Sequence, residues 1–124
     1  MPPQKLRGIA THFRGMGRKL GYPTANIKTT TTLSDGVYFG YADLGRYKHH
    51  AAIIFIGTPT TVGDVTRRVE AHLLDIPDLD YYGLGLGVEV WHHHRSNQTF
   101  DSVDDLLVAM KGDEVAARRW FGVH

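Results

Sequence analysis

The chain has 124 residues, 42% of them hydrophobic and 10% aromatic, a composition that fits one globular domain with a single core rather than a disordered chain. Fourteen Lys and Arg against thirteen Asp and Glu leave a formal charge of +1, which argues against nonspecific nucleic-acid binding as the main task. There are no cysteines, so disulfides and thiolate metal sites are excluded. No apolar run approaches the ~18 residues of a membrane span, and the N-terminus lacks a signal-peptide core. The expectation is a soluble, cytoplasmic protein with no membrane or nucleic-acid partner.

Taken in order, Leu6 to His12 reads as a short strand after a Pro2-Pro3 lead. The loop Phe13–Gly21 follows, with three glycines and three basic residues. In Gly21-Tyr22-Pro23-Thr24-Ala25-Asn26-Ile27, Pro23 fixes its own φ and pushes Tyr22 towards an extended conformation. Thr24 and Asn26 then share one side of the backbone while Ala25 points to a core. A hydroxyl and a carboxamide thus lie about 7 Å apart along the strand. Neutral oxygens of this kind suit a hard cation such as Mg2+ that is shared with substrate phosphates, which a flexible basic loop can cover. The same residues also fit a plain turn entering a strand, with Thr24 and Asn26 bonded to nearby backbone.

Thr29–Thr32 reads as an extended connector, and Ser34-Asp35-Gly36 as a turn. Gly36–Leu44 alternates, with Val37, Phe39 and Tyr41 on one face and Tyr38, Gly40 and Ala42 on the other. A tight Gly45-Arg46 turn predicts a hairpin with His49–Ile56, whose apolar run from Ala51 is that of a central strand. After a loop, Arg67–Leu74 is predicted as a strand with Val69, Ala71 and Leu73 facing one way and Arg68, Glu70 and His72 the other. Asp75–Gly83 is a loop. Leu84–His94 is the longest predicted strand, its core face marked by Leu84, Leu86, Val88 and Val90, with glycines opposite that permit bending or close approach of a ligand. Ser102-Val103-Asp104-Asp105 then resembles a helix cap, and Val103, Leu106, Leu107 and Met110 continue at helical spacing. Gly112 is expected to stop that helix and Asp113 to cap a second one through Trp120. The fold class this implies is mainly β: a small antiparallel barrel of five or six strands with one or two C-terminal α-helices.

Glu70 is the second centre of interest. A carboxylate on a rigid strand can act as general base towards an alcohol within hydrogen-bond reach, and it can equally belong to a solvated face screened by Arg68. His92 and His94 share a face and, with His49 and His50, form a candidate transition-metal set, weighed against a solvated strand end. Trp91 and Trp120 read as packing residues.

Gly17-Arg18-Lys19-Leu20-Gly21-Tyr22-Pro23-Thr24-Ala25-Asn26 resembles the signature of the ATP-using riboflavin kinases, G-R-x-L-G-(F/Y)-P-T-A-N. Arg68-Val69-Glu70-Ala71-His72-Leu73-Leu74-Asp75 resembles the same family's v-E-x-H-l-l-d segment, and Asp80-Tyr81-Tyr82-Gly83 its D-L-Y-G loop. Arg95, then Phe100-Asp101-Ser102, a Leu-rich helix and Asp113 resemble its ending. The blocks come in the family's order and span roughly Leu6 to Arg118. In three places the chain departs from the pattern: Phe13 stands where a loop glycine is common, Gly57-Thr58-Pro59-Thr60 lacks the family's Asn and is one residue shorter, and Leu84 stands where a basic residue often follows Tyr-Gly.

The resemblance implies a six-stranded antiparallel Greek-key β-barrel, over residues 1–124, that transfers the γ-phosphoryl of ATP to riboflavin, giving FMN and ADP. It implies Glu70 as the base. Gly15, Gly17 and Arg18 would lie over ATP, and Thr24 and Asn26 would hold Mg2+ and the nucleotide phosphates. Tyr82 and Arg95 would border the flavin. The enzyme so implied is a monomer acting on small molecules, and FAD synthesis is not expected of it. A noncatalytic flavin- or nucleotide-binding barrel is the alternative reading, and a barrel that binds RNA or protein is disfavoured by the charge.

Overall fold

The apolar alternation resolves into six antiparallel strands: β1 (Gln4–Ile9), β2 (Ala25–Ile27), β3 (Gly36–Leu44), β4 (Tyr47–Gly57), β5 (Arg68–Leu73) and β6 (Gly85–Arg95), followed by one helix, α1 (Val103–Val123). The structure, a computed structural model, describes residues 3–11, 20–28, 31–58, 67–77 and 81–123. The strands form one sheet in the order β1-β6-β3-β4-β5-β2. This sheet curls until its edges touch, where Thr11, just beyond β1, makes an antiparallel bridge to Asn26 of β2. Gly8 permits that approach, since a Cβ there would lie 3.0 Å from the Cβ of Ile27. The result is a curled half-barrel with α1 against its outside.

The strand boundaries expected from the sequence agree with these to within a few residues, and the Gly45-Arg46 hairpin forms as expected. Leu6, Ile27, Tyr38, Ile54, Val69, Leu86 and Val88 fill the interior. Val37, Phe39, Ile53 and Leu74 face outward instead and are covered by Ala117, Trp120 and Phe121 of α1. β3 is therefore buried on both faces, and each large side chain so buried contributes roughly 1.5–3 kcal/mol.

β6 lies tight against β3 at Gly40, where a Cβ would lie 1.9 Å from the carbonyl oxygen of Glu89. The glycines of β6 play no such part: nothing lies near Gly85, and Gly87 meets only Arg7 at 3.8 Å and Leu6 at 3.9 Å. The β3–β6 register shifts twice, leaving Trp91 and His94 without a partner in the ladder. His92 and His94 turn to the helix side, where His92 stacks on Trp120 and His94 on Phe39, while His93 meets Tyr38 edge-on. Trp120 is thus a packing residue, and Trp91 is half-exposed with its Nε1 donating to Glu89. Among the described residues no three of His, Cys, Asp and Glu converge as a metal site. No helix among them is long and apolar enough to cross a membrane.

The C-terminal region corrects one expectation. Ser102 does cap the helix, accepting from the Asp105 amide at 3.1 Å, yet Gly112 does not end it: α1 runs unbroken for 21 residues. An interior glycine costs only about 1 kcal/mol, and its neighbour Asp113 is anchored strongly enough to offset that. The Asp113 carboxylate, 2% exposed, accepts both arms of the Arg95 guanidinium at 2.8 Å and lies 3.3 Å from Nε2 of His94. Removing one partner of a buried pair strands the other. Asp113→Ala is expected to lower the unfolding free energy by about 3 kcal/mol, read from urea denaturation.

Candidate active site

β5 presents Arg68, Glu70 and His72 on the outer face because Val69, Ala71 and Leu73 point into the core. Antiparallel pairing sets Ala25 opposite Ala71 and Asn26 opposite Glu70. The incoming segment 22–26 therefore lies along the polar face, and each β5 side chain takes hold of it. Arg68 donates to the Asn26 carboxamide oxygen at 3.2 Å, Glu70 accepts from the Thr24 hydroxyl at 3.0 Å, and Nδ1 of His72 bonds the Pro23 carbonyl at 2.8 Å. A carbonyl only accepts, so His72 carries its proton on Nδ1. On the far side of Asn26, Thr11 donates from its amide to the Asn26 carbonyl at 2.9 Å and from its hydroxyl to the carboxamide oxygen at 3.2 Å. Asn26 returns a bond from Nδ2 to the Thr11 carbonyl at 3.1 Å.

The helix closes the site from the other flank. The Tyr22 hydroxyl donates to Glu114 at 2.8 Å; Arg118 donates to the other Glu114 oxygen at 2.9 Å and forks onto Asp75 at 2.9 and 3.0 Å. Burial and the Glu114 carboxylate push the Tyr22 phenol up to about 12, so it remains a donor. Hydrogen bonds from Arg118 and then Tyr22 hold Glu114 below the usual carboxylate range, and Arg118 does the same for Asp75. Burial lowers His72 below the ordinary imidazole value, against the opposing pull of the Pro23 carbonyl.

Of the residues singled out from the sequence, Thr24, Asn26 and Glu70 come together on this face. Gly15, Gly17 and Arg18, with the departure at Phe13, lie outside the described residues, as do Pro59, Thr60 and Asp80. Tyr82, 58% exposed, sits in the turn before β6, and Arg95 ends that strand bound to Asp113. Tyr82 precedes β6 and Arg95 closes it, so the two stand at opposite ends of that strand. Sequence reasoning missed Thr11, Tyr22, Glu114 and Arg118. Only Tyr22 carried a signal, standing inside the conspicuous Gly-Tyr-Pro-Thr stretch.

The donor set suits a hard cation in part. Thr24 offers a hydroxyl oxygen beside a carboxylate, whereas the Asn26 oxygen already accepts from Thr11 and a guanidinium. A small antiparallel half-barrel that sets a carboxylate, a hydroxyl and a carboxamide on one sheet face, beneath a helix, defines the class. A model of the flavokinase family, described as riboflavin kinase, matches residues 2–121. The chain is 30% identical to the riboflavin kinase of Homo sapiens, over 94% of its own length and 80% of that protein. It is 35% identical to the bifunctional riboflavin kinase/FMN adenylyltransferase of Escherichia coli (strain K12), covering 98% of itself but only 39% of that relative. The crystal structure of riboflavin kinase from Trypanosoma brucei shares the fold, with a TM-score of 0.73 at 23% identity over 98% of this chain and 82% of that one. The chain belongs to the flavokinase family.

Because folded His72 takes up a proton less readily than the unfolded chain, acid favours unfolding, and stability falls as pH drops below about 6.5. His72→Asn keeps a donor towards Pro23 and removes the titrating ring. Its melting temperature is expected to fall less than that of the wild type between pH 7.5 and 5.5, as thermal unfolding at stepped pH would show.

Proposed function

We propose that the protein is a riboflavin kinase, transferring the γ-phosphoryl of ATP to the ribityl 5′-hydroxyl of riboflavin to give FMN and ADP. The observation that carries this reading is the Thr24–Glu70 bond at 3.0 Å with Asn26 opposite Glu70 in the ladder. It unites on one face a proton acceptor and two neutral oxygens drawn from segments distant in sequence. The family membership supports the same reaction.

In the proposed step the 5′-hydroxyl oxygen bonds to the γ-phosphorus, the bond from that phosphorus to the bridging oxygen breaks, and ADP departs with its electron pair. Glu70 takes the proton of the hydroxyl as general base. Such a transfer asks mainly for positioning and charge neutralisation. Thr24 and Asn26 would hold the Mg2+, which when bound neutralises phosphate charge, and Asn26 would exchange its Arg68 contact to do so. Thr24 also fixes the carboxylate by its hydrogen bond, and Phe55, opposite Glu70 on β4, gives that side of the face an apolar wall. Gly15, Gly17 and Arg18 are assigned to the loop over ATP, and Tyr82 and Arg95 to separate margins of the flavin site. The reading includes closure of the half-barrel into a Greek-key barrel, which the Thr11–Asn26 bridge supports, and a monomer acting on small molecules in the cytoplasm.

Purified protein incubated with riboflavin, ATP and Mg2+ is expected to yield FMN and ADP together, resolved by chromatography. No FMN would instead favour a binding barrel without turnover. Glu70→Gln keeps an acceptor for Thr24 and is expected to fold normally while losing about 10²-fold or more in kcat. Thr24→Val is expected to raise the Mg2+ concentration for half-maximal rate by about tenfold, if a ligand rather than a packing group has been lost.

A further inference from the structure

The Thr24–Glu70 pair is held in register by residues remote from the reacting groups. Pro23 fixes its own φ, so Tyr22 and Thr24 on either side of it are joined by a stiff corner. Tyr22 is anchored on α1 as well as on the sheet: its ring meets His72 of β5 edge-on, and its hydroxyl donates to Glu114 at 2.8 Å. Glu114 is held in turn by Arg118, one helical turn on, at 2.9 Å. Arg118 then forks onto Asp75, which lies just past the end of the strand that carries Glu70 and has φ 63, a left-handed conformation Asp tolerates better than most residues. The circuit closes on itself, running from Thr24 through Tyr22, α1 and Asp75 to Glu70, and back to Thr24.

We infer that Tyr22 is a positioning residue for phosphoryl transfer, its bond to Glu114 and, through Arg118, to Asp75 making α1 set the approach of Thr24 to Glu70. This rests on Glu70 being the base. The phenol stays protonated across the working range of pH, so the bond does not come and go with it. The Arg118–Asp75 end is exposed, and exposed ion pairs contribute little to stability. Misplacing a reacting group by an ångström, in contrast, can cost about 10²-fold in rate. The circuit therefore predicts a loss of rate out of proportion to any loss of stability.

The test uses the full chain with Tyr22→Phe, which deletes one oxygen, Glu114→Ala, which removes the acceptor, and the two combined. Arg118→Lys, which keeps the cation and loses the fork, gives a further arm should Glu114→Ala not fold. Each single variant is expected to lower kcat by about tenfold or more, with KM for both substrates within about twofold of wild type. The double variant is expected to be no slower than the slower single one, because both break the same link. Amides of residues 24–27 are expected to exchange hydrogen faster in both variants, while those of β3 and β4 keep wild-type rates. Wild-type kcat in Tyr22→Phe, or losses that multiply in the double variant, would overturn the inference. Absence of FMN from the wild type would instead sink the kinase reading. The exchange rates of residues 24–27 would then decide the positioning claim alone, wild-type rates refuting it and faster rates sustaining it.

Discussion

The structure depends on one ladder of side chains. Arg68, Glu70 and His72 alternate along β5, and each holds a successive point on the segment that runs antiparallel to it: Asn26, Thr24 and the Pro23 carbonyl. The register is fixed on its other face as well, where Ala25 and Ile27 pack with Val69 and Ala71 in the interior. A slip of one residue would turn apolar side chains to the surface and polar ones into the core. The same constraint that makes β2 a strand therefore delivers a hydroxyl to a carboxylate. Fold and chemistry share one set of contacts here.

The helix is more than a cover. Ala117 and Trp120 bury its apolar side against β3 and β4. Within the same stretch, Asp113 fastens to the end of β6, Glu114 to the start of the β2 segment, and Arg118 to the end of β5. The first of these contacts is buried and dominates the anchoring; the last is exposed and screened by solvent. All three anchors fall within six residues just past Gly112, so the C-terminal half of the helix alone reaches three strand ends.

What the sequence revealed was whatever depends on neighbours in the chain. The alternation of Val69, Ala71 and Leu73 against Arg68, Glu70 and His72 has the period of a strand, and Pro23 announces an extended entry for Thr24 and Asn26. The Gly45-Arg46 hairpin needs only a short turn between alternating runs. Thr24, Asn26 and Glu70 stand out chiefly because their motifs resemble a known family; nothing in the periodicity says that positions 24 and 70 meet. Pairings such as Arg95 with Asp113 and Tyr22 with Glu114 join residues that no repeat relates, so they were invisible. Gly112 misled because a helix-breaking preference of about 1 kcal/mol is small beside a buried, forked ion pair at the next residue.

The sheet order has a kinetic side. β3 and β4 meet across a two-residue turn, so their pairing closes almost no loop, whereas Thr24 and Glu70 stand 46 residues apart. Loop-closure entropy rises with the logarithm of that separation, and contacts of long range are the slow ones to form. The hairpin is available to a chain that has organised little else; the hydroxyl–carboxylate pair needs β2 to come round to β5 across that longer separation. A contiguous fragment that contains the pair together with the helical residues that brace it must run from Thr24 to Arg118, which is most of the chain. The meeting of Thr24 with Glu70 is a property of topology, acquired when β2 pairs with β5.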